Sequence, residues 1–277
     1  MQGTIAQIVA LTAHGNAILQ KRSAAEGSLQ TKNSTFRFCE WVKFTDAPSV
    51  ASTHKELAYA PDVKGWFERL HSEGVCAIRM SYGSSQGNSM GVPDRALVGF
   101  VGGGGKWRIQ TCHRDGTDAW DPHWHVGDKD RADKKIWRVS YARVSQSNET
   151  GWNQGEDLAH LKNELRQVLL DIAQLSREQQ LDSFTGCFES AITRLDSETP
   201  LNGLFHDDLA PANFLALDAY QLLGSAEAAW VFGGMGSWND VYFQKMQKAR
   251  YDDLSERLYR LLNRAIVAAA NSHAASP

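Results

Sequence analysis

The apolar residues of this chain change their period near residue 152, and that change limits the fold more than any other feature. Before it, hydrophobic side chains recur at every second position, the spacing that puts them on one face of a strand. In FRFCEWVKF, Phe36, Phe38, Val42 and Phe44 share one phase while Arg37, Cys39, Trp41 and Lys43 share the other. In KIWRVSYARV, Trp137, Val139 and Tyr141 alternate with Arg138, Ser140 and Ala142. The same reading predicts strands over 4–12, 75–82, 95–101 and 106–113, and one helix, DVKGWFERLHSEG, ending at Gly74. Beyond residue 152, Leu158, Leu161, Leu165, Val168, Leu169, Ile172 and Leu175 follow the stripe of an amphipathic helix. Further helices are expected over 181–195, from Pro211 to about Phe232, and through Leu254, Leu258, Leu261, Leu262 and Ile266. The expected fold is α+β: a mainly antiparallel sheet in a β-rich half, 1–150, packed against a helical half, 151–277. SQSNETGWNQG (145–155) forms the boundary.

Charge follows the same division. Residues 1–150 hold 19 Lys+Arg against 15 Asp+Glu, net +4, and residues 151–277 hold 10 against 17, net −7. Four surplus charges spread over 150 residues do not make the basic stripe that a phosphate backbone requires, so nucleic acid is not expected as a partner. The opposite signs instead favour packing of the halves on each other. Cys39, Cys76, Cys112 and Cys187 contain no C-x-x-C pair and read as small buried thiols. No run of about 18 uncharged apolar residues offers a membrane span, and MQGTIAQIVALTAHG has no basic residue before its apolar run, so a cytoplasmic location is expected.

The densest chemistry lies in TCHRDGTDAWDPHWHVGDKD (111–130). If DPHWHV is extended, Asp121, His123 and His125 share a face opposite Trp120, Pro122, Trp124 and Val126. Two imidazoles at this spacing can reach one divalent metal, with His113 or Asp115 as a third ligand from the neighbouring hairpin strand. That arrangement would leave a position for water, with Asp115 or Asp121 as ligand or general base. An edge strand with a solvated polar face explains the same residues. The H-x-H resembles the first cupin motif, but Asp130 stands where that family has Glu, the glycine spacing differs and no second motif follows.

Four other segments carry weaker signals. YGSSQG (82–87) satisfies G-x-S-x-G around Ser85, but the following GNSMGVPD cannot form the helix of a nucleophile elbow, and a polar loop is expected. Gly102 to Gly105 before Lys106 lacks P-loop spacing and reads as a loop joining two strands. HDDLAPAN (206–213) has H-x-D-x-x-x-x-N spacing and resembles the catalytic loop of aminoglycoside phosphotransferases, with Asp207 replacing a glycine. The resemblance implies Asp208 as a base and Asn213 as a magnesium ligand. No D-F-G or I-D-x segment follows, however, and the residues also serve as punctuation before the helix ANFLALDAYQLL. In VFGGMGSWND (231–240), Gly234, Met235, Gly236, Ser237 and Trp238 could form an anion-holding nest, with Met235 and Trp238 walling a pocket, or a helix connection rich in glycine.

Two functions follow. The first is a ligand-binding or protein-interaction module, with a small molecule or protein partner held near VFGGMGSWND. The alternative is a metal-dependent hydrolase or oxygenase built on His113, His123 and His125. A third use, stacking on sugars or bases by the five tryptophans between Trp107 and Trp152, conflicts with their phase: Trp107, Trp120, Trp124 and Trp137 all fall on the apolar side of their strands.

Overall fold

The computed structural model describes residues 1–20, 29–46, 57–85, 91–100, 102–147 and 155–273. In chain order the first half holds α1 (Gly3–Leu19), α2 (Leu29–Lys32), β1 (Cys39–Asp46), β2 (Leu57–Ala60), α3 (Val63–Ser72), β3 (Ala77–Gly83), α4 (Asp94–Leu97), β4 (Lys106–Cys112), β5 (Thr117–Val126) and β6 (Trp137–Ser147). The second holds α5 (Leu158–Glu178), α6 (Asp182–Arg194), α7 (Leu217–Ala228) and α8 (Lys245–Asn271). The expected α+β fold is present. The sheet runs β2-β1-β6-β5-β4-β3, and β1 with β6 is its one parallel pairing.

Three strand expectations need correction. Residues 4–12 lie in helix α1, which is buried on every side, from Ile5 through Ala13 and again from Gly15 to Ile18. A continuous apolar run without a polar face does not distinguish a buried helix from a buried strand, and length decides for the helix. Residues 95–100 are not a strand either, and residue 101 lies outside the described residues. Asp94–Leu97 forms a single helical turn entered through Pro93, and the chain then turns at Val98–Phe100. The loop containing Gly102, Gly104 and Gly105, all at positive φ, therefore connects α4 to β4 rather than two strands. Phe38 is exposed and Cys39 buried, the reverse of the expected phase, because β1 carries a bulge between Cys39 and Trp41 that shifts its register. Past the bulge, Val42 and Phe44 face the core as expected.

Helix α1 packs on β3 and β4 and touches α8, which itself reaches β3, while α5 packs on α6, α7 and α8. One buried apolar cluster runs from Ile5 to Ala270 and includes side chains of both halves. The opposite sheet face carries Ser81, Arg108, Gln110, Asp121, His123, His125, Arg138 and Ser140, all half-buried or exposed, as is common for an antiparallel sheet with one wetted face.

Strand β3 forms one sheet edge. An edge leaves alternate backbone N–H and C=O groups without a strand partner. Here two asparagine amides take that role. The Asn16 side chain accepts from Ile78 N at 2.8 Å and donates to Ile78 O at 2.6 Å. Asn271 does the same for Met80, at 2.8 and 2.9 Å.

Candidate functional site

The histidine and aspartate segment lies on the β4–β5 hairpin. Cys112 pairs with Thr117, and His113 N donates to Gly116 O at 2.8 Å, so His113 and the exposed Asp115 sit at the turn. His123 and His125 lie at the far end of β5, paired with Ser140 and Arg138. Six residues separate Thr117 from His123, about 20 Å at 3.3 Å per residue. The antiparallel register therefore carries His113 away from the other two imidazoles, the reverse of what a shared metal needs. Among the described residues no group of three or more His, Cys, Asp or Glu side chains is placed to hold a metal ion. Asp121 is engaged by Arg108, whose Nε and Nη2 donate to its two oxygens at 2.5 and 3.1 Å. His113 lies 3.4 Å from Asp118, which is buried and also accepts from Arg143 Nη1 at 3.1 Å. Trp107 and Trp120 are buried, and Trp124 and Trp137 pack against the core, so these indoles occupy the expected apolar face.

The glycine-rich segment 231–240 is a connection that packs on a second glycine loop. A Cβ on Gly99 would lie 2.7 Å from the Gly234 Cα and 2.8 Å from the Gly233 carbonyl oxygen, so the two backbones touch. That contact accounts for a glycine density beyond what a helix connection needs. The anion seat of the loop is filled by the chain itself: Gly236 N donates to Asp240 Oδ2 at 2.6 Å, and Ser237 Oγ caps the following 3-10 turn, Trp238–Asp240. Trp238 is fully buried and does not wall a pocket. Its ring meets Phe184, Phe188, Phe243 and Tyr251 edge-on or tilted, and its Nε1 donates to Ser255 Oγ at 2.8 Å. Met235 is fully solvent-exposed at the loop tip.

A cleft of about 610 Å³ opens beside this connection, lined by Pro93, Arg95, Ala96, Asn239, Val241, Lys248, Tyr251, Asp252 and Glu256. Its construction follows from local sequence. Lys248, Asp252 and Glu256 recur every four residues and so form one stripe of α8, while Tyr251 and Ser255 on the adjacent stripe turn toward Trp238. Tyr251 donates to the Trp238 carbonyl at 2.7 Å, and burial raises its phenol above the ordinary value. Asn239 Nδ2 donates to the Arg95 carbonyl at 2.8 Å, fastening α4 to the Trp238 turn. Arg95 lies at the base, 8% exposed, with its guanidinium over the Tyr251 ring. Its Nη2 donates to Asp252 Oδ1 at 3.0 Å; its Nε, 3.4 Å from Glu256, makes no hydrogen bond among the described residues, and neither does the buried Asn239 Oδ1.

A second polar cluster joins the halves. Ser34 N and Oγ donate to the Asp208 carboxylate at 2.7 and 2.5 Å, and Ser34 Oγ lies 2.8 Å from His206 Nδ1. With the serine proton on Asp208, His206 Nδ1–H donates to Ser34. Asn33 Nδ2 and His14 Nε2 both donate to the Asp208 carbonyl, at 2.6 and 3.1 Å. Burial lowers both His14 and His206 below 6.5. Asp208, expected from the resemblance to act as a base, is thus bound on both oxygens by Ser34. Asn213 is exposed at a φ of 59°, and the helix after it begins at Leu217, later than expected from Pro211. Of the G-x-S-x-G segment, Ser85 N donates to Asp94 Oδ2 at 2.9 Å, while residues 86–90 lie outside the described residues, as do Trp152 and most of the expected boundary.

Comparison with protein-family models, with curated proteins and with solved structures found no match. The cleft residues were missed from sequence because they come from three separate segments; only the i, i+4 spacing of Lys248, Asp252 and Glu256 marks one wall.

Proposed function

We propose that this chain is a small-molecule binding module whose ligand occupies the cleft between α4 and α8. The observation that supports it is Arg95, a buried guanidinium at the base of a cavity of ligand size, whose Nε faces Glu256 at 3.4 Å but makes no hydrogen bond among the described residues. Ligand clefts of roughly 300–1,000 Å³ are mostly preformed and carry a few fixed polar groups, and a buried unfilled donor is costly unless something answers it. The Trp238 cluster beneath makes the base rigid, which limits the ordering that binding would require. No helix among the described residues is long and apolar enough to cross a membrane. The four free cysteines are compatible with a reducing compartment, which supports a cytoplasmic location as part of this reading. The test is a thermal-shift screen with charged metabolite-sized compounds. A true ligand at about 100 times its Kd stabilises by about 2.7 kcal/mol, and Val241→Trp, which fills the cleft, should abolish the shift. A screen without any hit that Val241→Trp removes would refute the reading.

A protein partner is the second reading, favoured by Met235 and Phe100. These exposed side chains stand on the two loops that touch at Gly99 and Gly234, and methionine and aromatic residues are enriched at interfaces. A partner held there should be lost in the Phe100→Ser, Met235→Ser double variant.

A further inference from the structure

We infer that the ligand of the cleft is a zwitterion, with a carboxylate held by Arg95 and Lys248 and an ammonium group held by Glu256. The inference rests on the cleft reading above and follows from how the four lining charges are shared. Asp252 is held from both sides, Oδ1 by Arg95 Nη2 at 3.0 Å and Oδ2 by Lys248 Nζ at 2.5 Å. Because Arg95 also reaches Glu256, the row Lys248–Asp252–Arg95–Glu256 alternates in sign, and the exposed Lys248 ammonium, answered among the described residues only by Asp252, is its positive end. Glu256 lies one turn further on, about 6 Å along the axis. It shares Arg95 with Asp252, the Nε lying 3.4 Å away without a hydrogen bond, and its side chain is 54% exposed, so its carboxylate is only partly answered and is the negative end of the row. The other carboxylates near the cleft are engaged elsewhere: Asp94 accepts from Tyr82 Oη and Ser85 N, and Asp240 from Gly236 N. A plain anion would meet Glu256, and a plain cation would meet Lys248. Only a molecule carrying both charges complements both poles, and opposite placement of charge is what discriminates partners at such a surface.

The probes are the ω-amino acids from glycine to 6-aminohexanoate, each also as its N-acetyl and its carboxamide form, measured by calorimetry and thermal shift on the full chain. One chain length should bind best, and blocking either end should weaken it at least tenfold. Glu256→Gln should weaken the zwitterion at least tenfold while leaving the N-acetyl form unchanged, and Lys248→Met should do the converse for the carboxamide. Both side chains are largely exposed, so the unliganded melting temperature should stay near that of the wild type. If an N-acetyl or carboxamide form binds as well as its parent and Val241→Trp abolishes that binding, the zwitterion is wrong and the cleft stands. If no probe of any charge binds in a way that Val241→Trp removes, both fail.

Discussion

Trp238 shows how far a residue's role depends on burial. A tryptophan beside three glycines reads as the wall of a pocket, whereas in the structure it is fully buried among four aromatic rings and supports the base of the cleft from beneath. Removing it opens a cavity and leaves the Ser255 hydroxyl and the Tyr251 packing without their partner. Trp238→Ala should therefore cost about 3–5 kcal/mol, read as a lowered urea midpoint, and any loss of ligand binding in that variant would follow from loss of structure. Glu256→Gln, at an exposed position, should leave the urea midpoint nearly unchanged. The contrast separates what builds the cleft from what faces into it.

At the scale of elements, the cluster around Asp208 joins α1, the turn at Ser34–Phe36 and the segment before α7, and its two imidazoles are held neutral by burial. Their native values lie below the unfolded value of 6.5, so over the interval between them the unfolded chain binds protons that the native chain resists. Stability is therefore full above about pH 6.5 and falls as the pH drops toward the native values, by at most about 1.4 kcal/mol per pH unit for each imidazole. Urea midpoints between pH 7.5 and 5 should fall less steeply in His206→Gln than in the wild type; parallel slopes would show that His206 does not contribute. The sequence made some of these elements plain and hid others for physical reasons. Strands β4 to β6 and helix α5 pack one face on the core and wet the other, which imprints a period. Helix α1 has no wet face and so no period, and α4 is too short for one. The register that separates His113 from His123 is a property of paired strands, absent from either strand alone. The cleft was hidden for a similar reason, since Arg95, Asn239 and Glu256 become neighbours only when three segments meet.

For the molecule as a whole, the seam between the two halves is mainly apolar. Among the described residues the opposite charges of the halves meet where Arg95 reaches Asp252 and Glu256 and where the buried Met1 amino group meets Glu227 at 2.6 Å. One edge of the sheet is finished by the helices, because β3 has its free edge satisfied at Ile78 by Asn16 of α1 and at Met80 by Asn271 of α8. Asn271→Leu would leave the Met80 N–H and C=O without those partners. At roughly 1–3 kcal/mol for each unsatisfied buried group, it should lower stability by about 2–6 kcal/mol in urea unfolding. An unchanged midpoint would mean that water serves the edge as well as asparagine does. During synthesis, residue 80 leaves the ribosome some 190 residues before residue 271. For that interval the strand presents an open edge at Met80 to any neighbouring nascent chain, so the last turn of α8 decides when this one edge of the sheet is closed to a further strand.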